Sequence, residues 1–249
     1  MTRRDWRTPA VVLLCGGAAL TIALGTRHTF GLFLQPMAQD LGWGRQTFSF
    51  AIALQNIIYG AAGPFAGMIA DRFGAGRVMA AGAICYVVGL ILMSSATTGL
   101  EMNFATGVMI GIAMSCCGFS IVYGVIGRTF PAERRSTALG IAGAAGSFGQ
   151  FFMVPVEGTL IAQFGWSNAL LVLALMALII AVLAFGLREP GFGKGAVLHR
   201  EQTVVQAIFD FLTDPNLAFI LFAIGALGLY MEFQHPGLIV PGAIGVVAL

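Results

Sequence analysis

Charged side chains are scarce in this sequence. Asp, Glu, Lys and Arg make up 10% of its 249 residues, against about 25% in ordinary soluble domains. Hydrophobic residues make up 58%, and the mean hydropathy is +0.88. This balance excludes an intrinsically disordered chain, a nucleic-acid-binding protein and an ordinary soluble domain. The formal net charge of +2 is too small to indicate a partner.

Cysteine is also rare. The four cysteines are Cys15, Cys85, Cys116 and Cys117, and all of them lie inside apolar runs. We therefore predict reduced side chains that pack in the interior and form no disulfide. We also expect neither a metal site nor a cofactor.

What the chain does contain is a series of long runs without Asp, Glu, Lys or Arg: 46–70, 78–100, 102–127, 136–156 and 158–187. A helix needs about 20 apolar residues to cross a bilayer. The sequence therefore predicts an all-α polytopic membrane protein that resides in the lipid bilayer. The six predicted spans, numbered in chain order, cover about 10–36, 47–70, 77–99, 102–127, 136–162 and 167–187.

The basic residues are distributed asymmetrically around these spans. Eleven of the 13 lie before span 1, between spans 2 and 3, between spans 4 and 5, or after span 6, whereas Arg45 lies on the opposite side. The positive-inside rule then predicts a cytoplasmic N-terminus. We expect a multi-pass protein of the cell (inner) membrane. A signal peptide is the alternative for the first apolar run, but the length of that run and the spans that follow it favour a retained helix.

An internal repeat divides the spans into two sets of three. Pro64-x-x-Gly67-x-Ile69-x-x-x-Phe73-Gly74 recurs 91 residues later as Pro155-x-x-Gly158-x-Leu160-x-x-x-Phe164-Gly165. The same offset carries span 1 onto span 4 and span 3 onto span 6. Because each copy has an odd number of spans, the second copy is inverted in the membrane. Such 3+3 inverted repeats are typical of secondary transporters.

The loop between spans 2 and 3 contains the segment Gly67-Met68-Ile69-Ala70-Asp71-Arg72-Phe73-Gly74-Ala75-Gly76-Arg77. It resembles the loop motif G-x-x-x-D-R-x-G-x-(x)-[RK] of the major facilitator superfamily, and residues 1–190 resemble that superfamily's N-terminal six-helix half. The resemblance implies a latch for the cytoplasmic gate. A plain positive-inside loop is the alternative.

Each residue of this gate motif has an expected role. Gly67 would let two helices approach closely, and Gly74 would permit a tight turn. Asp71 could cap a helix end or pair with a basic side chain. Salt bridges from Arg72 and Arg77 to Glu133 would join the motif to the loop between spans 4 and 5, which also contains Arg134.

Arg27 is the main candidate for substrate binding. It lies past the middle of span 1, where a charge costs about 2.5–3.5 kcal/mol or more. The segment Gly25-Thr26-Arg27-His28-Thr29-Phe30-Gly31 resembles the first helix of the bacterial oxalate/monocarboxylate-type branch, in which a basic group faces the substrate. Snorkelling of Arg27 to the membrane surface is the alternative. His28 is either a hydrogen-bonded packing residue or part of the site.

The other polar residues within apolar spans are Gln55, Asn56, Tyr59, Tyr123, Gln150 and Glu157, and all of them except Tyr59 are candidates for substrate binding or coupling. The family resemblance implies that spans 1, 2, 4 and 5 line the cavity and that spans 3 and 6 face outward. Gln55 and Gln150 could bind a carboxylate or join helices by hydrogen bonds. Glu157 is either an interfacial or structural residue or a proton-coupling group.

The tail departs from the transporter pattern. Residues 191–202 have the composition of a cytoplasmic linker, and 203–249 resemble a truncated membrane segment of NfeD-type proteins, as in Gly228-Leu229-Tyr230-Met231-Glu232-Phe233-Gln234-His235-Pro236-Gly237. No Ser/Lys or Ser/His arrangement supports proteolysis, so we predict no enzymatic activity. The junction could be natural, or it could mark a chimeric or truncated gene product.

The function that the resemblance implies is secondary active, alternating-access transport of a small organic anion such as a mono- or dicarboxylate, as in an antiporter. A second six-helix bundle, from a homodimer or from a separate chain, would be required to close the cavity. The rival hypothesis is an NfeD-type membrane scaffold or assembly protein in which the six helices serve as an anchor.

Overall fold

The computed structural model describes residues 8–187, and every regular element in that range is helical. The predicted all-α membrane fold is therefore confirmed. The elements are α1 (Pro9–His28), a 3₁₀ segment (Thr29–Phe33), α2 (Leu34–Leu41), α3 (Arg45–Phe73), α4 (Ala75–Ser94), α5 (Gly99–Met102), a π-helical segment (Asn103–Met109), α6 (Ile110–Cys117), α7 (Phe119–Thr129), α8 (Ala132–Leu183) and a final 3₁₀ turn (Ala184–Leu187). The predicted linker 191–202 and the tail 203–249 lie outside the described residues.

Capping residues begin several of these helices. The Thr8 hydroxyl accepts a hydrogen bond from the Val11 amide at 3.4 Å, and Pro9 occupies the first helical position, where its missing N–H has no cost. Thr98 and Glu101 form a reciprocal capping box at the start of α5. Each cap satisfies amide groups that would otherwise be unpaired at a helix end.

Glycines with left-handed backbone angles reverse the chain at equivalent positions of the two repeats. Gly74 (φ +94°) separates α3 from α4, and Gly165 (φ +77°) interrupts α8. The two positions are 91 residues apart, the offset of the sequence repeat. Residues with a Cβ rarely adopt such angles. The tight turn predicted at Gly74 is confirmed, and the same turn recurs at Gly165.

The break at Gly165 turns one long helix into two membrane crossings. Five helices are long and apolar enough to cross a membrane, and the last of them runs over Ala132–Leu187. Before the break, Gly149 packs against Thr21 in the middle of α1. After it, Ser167 donates to the Ser94 carbonyl at 2.8 Å, and Gly186 packs against Cys15 near the start of α1. Residues 132–164 and 166–187 therefore run in opposite directions.

The six spans have the following bounds in the structure: span 1, Pro9–Leu41; span 2, Arg45–Phe73; span 3, Ala75–Ser94; span 4, Gly99–Thr129; span 5, 132–164; span 6, 166–187. One end of the bundle carries Pro9 and Leu187, and we call it the Pro9 end. The other carries Leu41 and Gly165, and we call it the Leu41 end. Asp40 accepts a hydrogen bond from Trp166 Nε1 at 2.6 Å at the Leu41 end.

The helix pairs follow the predicted inverted repeat. Span 1 packs on span 5 through Gly149 and Thr21, and span 2 packs on span 4 through Ile58 and Gly111. With the repeat offset of 91 residues, Ile58 of span 2 corresponds to Gly149 of span 5. Gly111 of span 4 corresponds to position 20 of span 1, which is next to Thr21. The same close contact is thus built twice.

Glycines in span 5 allow this close packing. A Cβ on Gly149 would clash with the Thr21 backbone, and one on Gly146 would lie 2.9 Å from Leu24. Gly143 faces the Tyr123 hydroxyl in the same way, at 2.7 Å. By contrast, nothing lies within 4 Å of a Cβ built on Gly140. Gly140, Gly143, Gly146 and Gly149 recur every three residues and form the glycine stripe of span 5. This spacing predicts close helix packing, and the structure confirms it for three of the four glycines.

Gly67 does not have the predicted role within this half. No atom of the described residues lies within 4 Å of a Cβ built at Gly67. Its neighbours Phe65 and Met68 are 61% and 59% exposed. The prediction of a close helix approach is therefore wrong for residues 8–187, because this part of span 2 faces away from the other described spans. The buried residues of span 2 are few: Phe48, Ala51, Gln55, Ala66 and Ala70.

Candidate functional site

Arg27 lies inside span 1, at the end of α1 and 14 residues before Leu41. Directly after it the helix tightens to a 3₁₀ turn over Thr29–Phe33. The Thr29 hydroxyl lies 3.0 Å from both the Gly25 and the Thr26 carbonyl oxygens. Such side-chain bonding to the preceding turn is known to bend transmembrane helices. The local change in helix type therefore occurs next to the charged residue.

The guanidinium of Arg27 reaches across to span 2. Its Nη2 donates to Asn56 Oδ1, and its Cζ lies 5.6 Å from the centroid of the Tyr59 ring. Asn56 Nδ2 donates in turn to the Ile52 carbonyl at 2.8 Å, which orients the amide oxygen. Arg27 therefore lies against span 2 and does not snorkel to the membrane surface. A neutral amide and an aromatic face hold it without neutralising its charge.

Arg27 has no carboxylate partner in the described half. The one ion pair found within residues 8–187 joins Arg128 to Asp71. The Nε of Arg27 is buried and has no hydrogen-bond acceptor. Since a cation in a membrane interior normally pairs or lines a water-filled cavity, this group retains free capacity for an anion.

Tyr59 is a site residue that the sequence analysis noted as polar within span 2 but did not propose for binding. It follows Asn56 by three residues on one helix, so both side chains project from the same face. That spacing could have indicated Tyr59 once Asn56 was chosen. The contact with Arg27 depends on how spans 1 and 2 pack, and no pattern in the sequence reports this.

Gln55 is 1% exposed, and its Nε2 has no hydrogen-bond partner within residues 8–187. A buried amide donor without an acceptor is unfavourable by about 1–3 kcal/mol. Its backbone carbonyl lies 3.1 Å from a Cβ built on Gly111 of span 4. The free amide group is the kind of donor that a bound carboxylate could satisfy.

The remaining predicted binding residues are not in contact with Arg27 in the structure. His28 is exposed, with its Nδ1 2.9 Å from the Leu24 carbonyl of its own helix. Tyr123 stacks on Phe119 at 5.1 Å, and Gln150 is half-buried on span 5. Within residues 8–187 no hydrogen bond joins any of the three to Arg27, so their role in binding stays a prediction.

Glu157 is completely buried on span 5, and neither carboxylate oxygen has a hydrogen-bond partner within the described range. Tyr86, also fully buried, donates its hydroxyl to the Ala23 carbonyl at 3.1 Å. Tyr86 was not predicted from the sequence, where its one signal is a lone tyrosine in an apolar span.

Asp71 of the gate motif pairs with a basic side chain, one of the two roles expected for it. Asp71 accepts a hydrogen bond from Arg128 Nη1 at 3.1 Å, and both side chains are partly exposed. Arg128 lies in the last turn of span 4, beside the end of span 2. The pair joins the Pro9 ends of the two spans.

The predicted salt bridges from Arg72 and Arg77 to Glu133 are wrong for the described residues. Arg72 stacks on Phe73 at 5.4 Å, and no ion pair of Arg77 or Glu133 is found within 8–187. Pro131 is the N-cap residue of α8, and Glu133 lies in the first turn of that helix. An acidic side chain in that position is stabilised by the helix dipole. The Arg134 amide donates to the Pro131 carbonyl at 3.1 Å in the same turn.

The sequence matches the family model of the Major Facilitator Superfamily over residues 14–242. This match includes most of the tail 203–249. The NfeD-type resemblance of that tail is not shown by any of the comparisons and stays a prediction.

Several transporters are similar to this chain in sequence. Monocarboxylate transporter 11 of Mus musculus is 26% identical over 231 residues, covering 91% of this chain and 51% of the mouse protein. The uncharacterized MFS-type transporter YcxA of Bacillus subtilis is 27% identical over 167 residues, or 66% of this chain and 40% of YcxA. Human monocarboxylate transporter 12 is 36% identical over 92 residues, or 37% and 17% of the two chains. The chain spans about half or less of the length of these relatives.

The fold also has a solved counterpart. A bacterial homolog to the human lysosomal transporter Spinster, in an inward-facing and unoccupied conformation, aligns with a TM-score of 0.66 at 17% identity. The alignment covers 98% of this chain and 58% of that one. At this identity the likeness shows the fold alone. On the match of the family model, this multi-pass membrane chain belongs to the Major Facilitator Superfamily, a family of transport proteins and not of enzymes.

Proposed function

We propose that this protein transports small monocarboxylate anions across the cell membrane by alternating access, with Arg27 as the partner of the substrate carboxylate. The observation that carries the proposal is the position of Arg27. It is a cation inside a span that contacts a neutral amide and an aromatic ring, with no acidic partner in residues 8–187. An anion is the ligand that such a group binds best.

The geometry of the groups favours a carboxylate. A guanidinium binds a carboxylate through two parallel N–H···O bonds, which fixes the orientation of the ligand. The unpartnered Gln55 amide could donate a further hydrogen bond. Tyr59 lies against one face of the guanidinium.

A single charge on the substrate is supported by the distribution of basic residues. In residues 8–187, Arg27 is the one Lys or Arg that does not lie in the first or last turns of a span. One cation balances one carboxylate, whereas a dicarboxylate would leave a second charge to be compensated. The names of two relatives, the monocarboxylate transporters 11 and 12, support the same substrate class.

A complete transport pathway requires a second six-helix bundle, supplied by further sequence of the same protein or by another chain. Phe148, Phe151 and Ile57 are 59%, 78% and 68% exposed. They lie on spans 5 and 2 near the candidate site. A second bundle would cover this face and enclose the cavity. The likeness to a longer chain, of which the alignment covers 58%, supports the requirement.

The test is equilibrium exchange of radiolabelled lactate in proteoliposomes that contain this chain together with its second six-helix bundle. Saturable exchange is expected for the wild-type protein, and Arg27→Ala should abolish it because the carboxylate loses the cation that lies within a span of the described half. Arg27→Lys keeps the charge but loses the paired donors, so it should raise the KM. Oxalate should compete poorly. The matched control is Arg45→Gln, which removes an exposed arginine at the Leu41 end and should leave exchange unchanged. Absence of exchange in the wild-type protein, or full exchange by Arg27→Ala, would contradict the proposal.

A further inference from the structure

Arg77, the last residue of the gate motif, has no part in the proposed anion site. It lies in the first turn of span 3 at the Pro9 end, and its side chain is exposed. No ion pair of Arg77 is found within residues 8–187. A cation at the end of a membrane span is well placed to meet the anionic groups of the bilayer surface.

Arg77 lines a groove between the start of span 3 and the end of span 6. The groove has a volume of about 170 Å³, and its walls are formed by Gly76, Arg77, Ala80, Ala184 and Phe185. Three of these five residues are glycine or alanine, and their small side chains leave the space open. The groove therefore combines one cation with apolar walls.

The apolar surface continues from the groove toward the middle of both spans. Ile84 follows Ala80 by one helical turn and is 58% exposed. Val182 precedes Phe185 by three residues and is 67% exposed. Side chains three or four residues apart lie on the same face of a helix. A ligand that begins at Arg77 can therefore extend along Ile84 and Val182.

The inverted repeat provides an internal comparison for this groove. With the offset of 91 residues, the counterparts of Arg77, Ala80 and Ala184 are Asn168, Leu171 and Met93. The equivalent place at the Leu41 end thus has an amide instead of a cation and larger apolar side chains. There the Ser167 hydroxyl joins the two spans directly, through its hydrogen bond to the Ser94 carbonyl. The open groove and its charge are specific to the Pro9 end, and the packing of spans 3 and 6 does not require them.

We propose that this groove binds an anionic phospholipid of the leaflet at the Pro9 end, with the lipid phosphate on Arg77 and an acyl chain along Ile84 and Val182. A guanidinium binds phosphate oxygens through paired N–H···O bonds. Basic pockets between membrane helices are suited to such headgroups. Free phosphate would leave the apolar walls without a partner, so the occupant is amphiphilic.

The charge around the groove selects an anionic lipid over a zwitterionic one. Four further arginines lie at the Pro9 end: Arg72, Arg128, Arg134 and Arg135. Their summed potential attracts a lipid with a net negative charge. Spans 3 and 6 belong to different repeats, so a lipid in the groove joins the two repeats at the Pro9 end.

The experiment is native mass spectrometry of the purified protein together with its second six-helix bundle, in detergent with equal amounts of phosphatidylglycerol and phosphatidylcholine of the same acyl chains. The wild-type protein should retain phosphatidylglycerol in preference. Arg77→Asn introduces the counterpart residue of the other repeat and should weaken this binding by about fivefold, because one basic contact is lost. Arg72→Asn is the matched control, since Arg72 lies at the same end but stacks on Phe73 and does not line the groove.

A second substitution separates the groove from charge attraction at the surface. Ala80→Leu also introduces the counterpart residue, fills the groove and keeps Arg77, so it should lower the retention of phosphatidylglycerol. Ala81→Leu is its control, because Ala81 is exposed and does not line the groove. Equal retention of the two lipids by the wild-type protein, or wild-type retention by Arg77→Asn, would overturn the proposal. These two outcomes decide it even if Ala80→Leu fails to fold.

Photolabelling in a bilayer locates the lipid. Phosphatidylglycerol with a photoreactive acyl chain should label spans 3 and 6 around Ile84 and Val182, and Ala80→Leu should reduce this labelling. Even labelling of all spans would indicate a general lipid boundary and would overturn the site. Absence of label at Ile84 and Val182 would do the same, since another segment then covers the groove. Neither measurement uses transport, so the lipid site and the proposed function can fail independently.

Discussion

At the scale of single residues, the charge of Arg27 is held by contacts that leave it available. Asn56 supplies one neutral acceptor, and Tyr59 supplies a ring face. A carboxylate in the place of Asn56 would form an ion pair and compete with an incoming anion. The amide and the aromatic ring therefore orient the guanidinium without neutralising its charge.

Substitutions at Tyr59 test the aromatic contact. Tyr59→Phe keeps the ring face and should change the apparent affinity for lactate little. Tyr59→Leu removes it and should weaken binding by about 0.5–2 kcal/mol, the range of cation–π contacts, which is about 2- to 30-fold in affinity. The measurement is the half-saturating lactate concentration in exchange. Equal affinities for the two variants would show that the ring face contributes nothing.

At the scale of helices, the packing of span 5 on span 1 depends on the absence of side chains. Gly149 meets the backbone of Thr21, which cannot move aside by changing a rotamer. In a bilayer, association of helices relies on such close van der Waals contact because lipid is as apolar as the side chains. The glycine stripe of span 5 is thus part of the structural framework that positions Arg27 and Glu157.

A pair of glycine substitutions tests this contact. Gly149→Ala should destabilise the folded protein by about 1–3 kcal/mol through overpacking, which corresponds to a Tm lower by several degrees in detergent. Gly140→Ala is the control on the same helix, because nothing lies within 4 Å of its Cβ position. Its Tm should be unchanged or slightly raised, as alanine favours helix over glycine. Equal Tm values for both variants would exclude the close contact.

At the scale of the whole molecule, the repeat determines which ends of the spans lie on the same side. Residues 8–187 form two sets of three spans with equivalent glycine turns at Gly74 and Gly165. Arg72, Arg77, Arg128, Arg134 and Arg135 lie at the Pro9 end, and Arg45 lies at the Leu41 end. We propose from this asymmetry that the Pro9 end is cytoplasmic.

Labelling of introduced cysteines tests this orientation. In a variant with the four native cysteines replaced by serine, Arg45→Cys should react with a membrane-impermeant maleimide added to intact cells. Arg134→Cys should react only after the cells are opened. Labelling of Arg134→Cys alone in intact cells would reverse the proposed orientation, and labelling of both would exclude the six-span topology.

Much of the fold could be predicted because the relevant signals are local in the sequence. Uncharged apolar runs of about 20 residues predict membrane-spanning helices, because that length of helix crosses a bilayer. The offset of 91 residues predicts the inverted arrangement, and Gly74 predicts a turn. The candidate site could be predicted only in part. Arg27, Asn56 and Glu157 are conspicuous because polar groups in apolar spans are costly. Tyr86 is not, since a lone tyrosine in an apolar span is a weak signal.

By itself, the sequence determined the all-helical membrane fold, the inverted repeat and the identity of the interior charged residues. These follow from composition and spacing along one chain. Only the tertiary structure decided which partners these residues meet. Arg27 contacts Asn56 and Tyr59. The ion pair of the gate motif joins Asp71 to Arg128 and does not involve Glu133. The Glu157 carboxylate has no hydrogen-bond partner in the described half. Such contacts depend on how far each helix rotates and approaches its neighbour, and small residues set that distance on both helices at once.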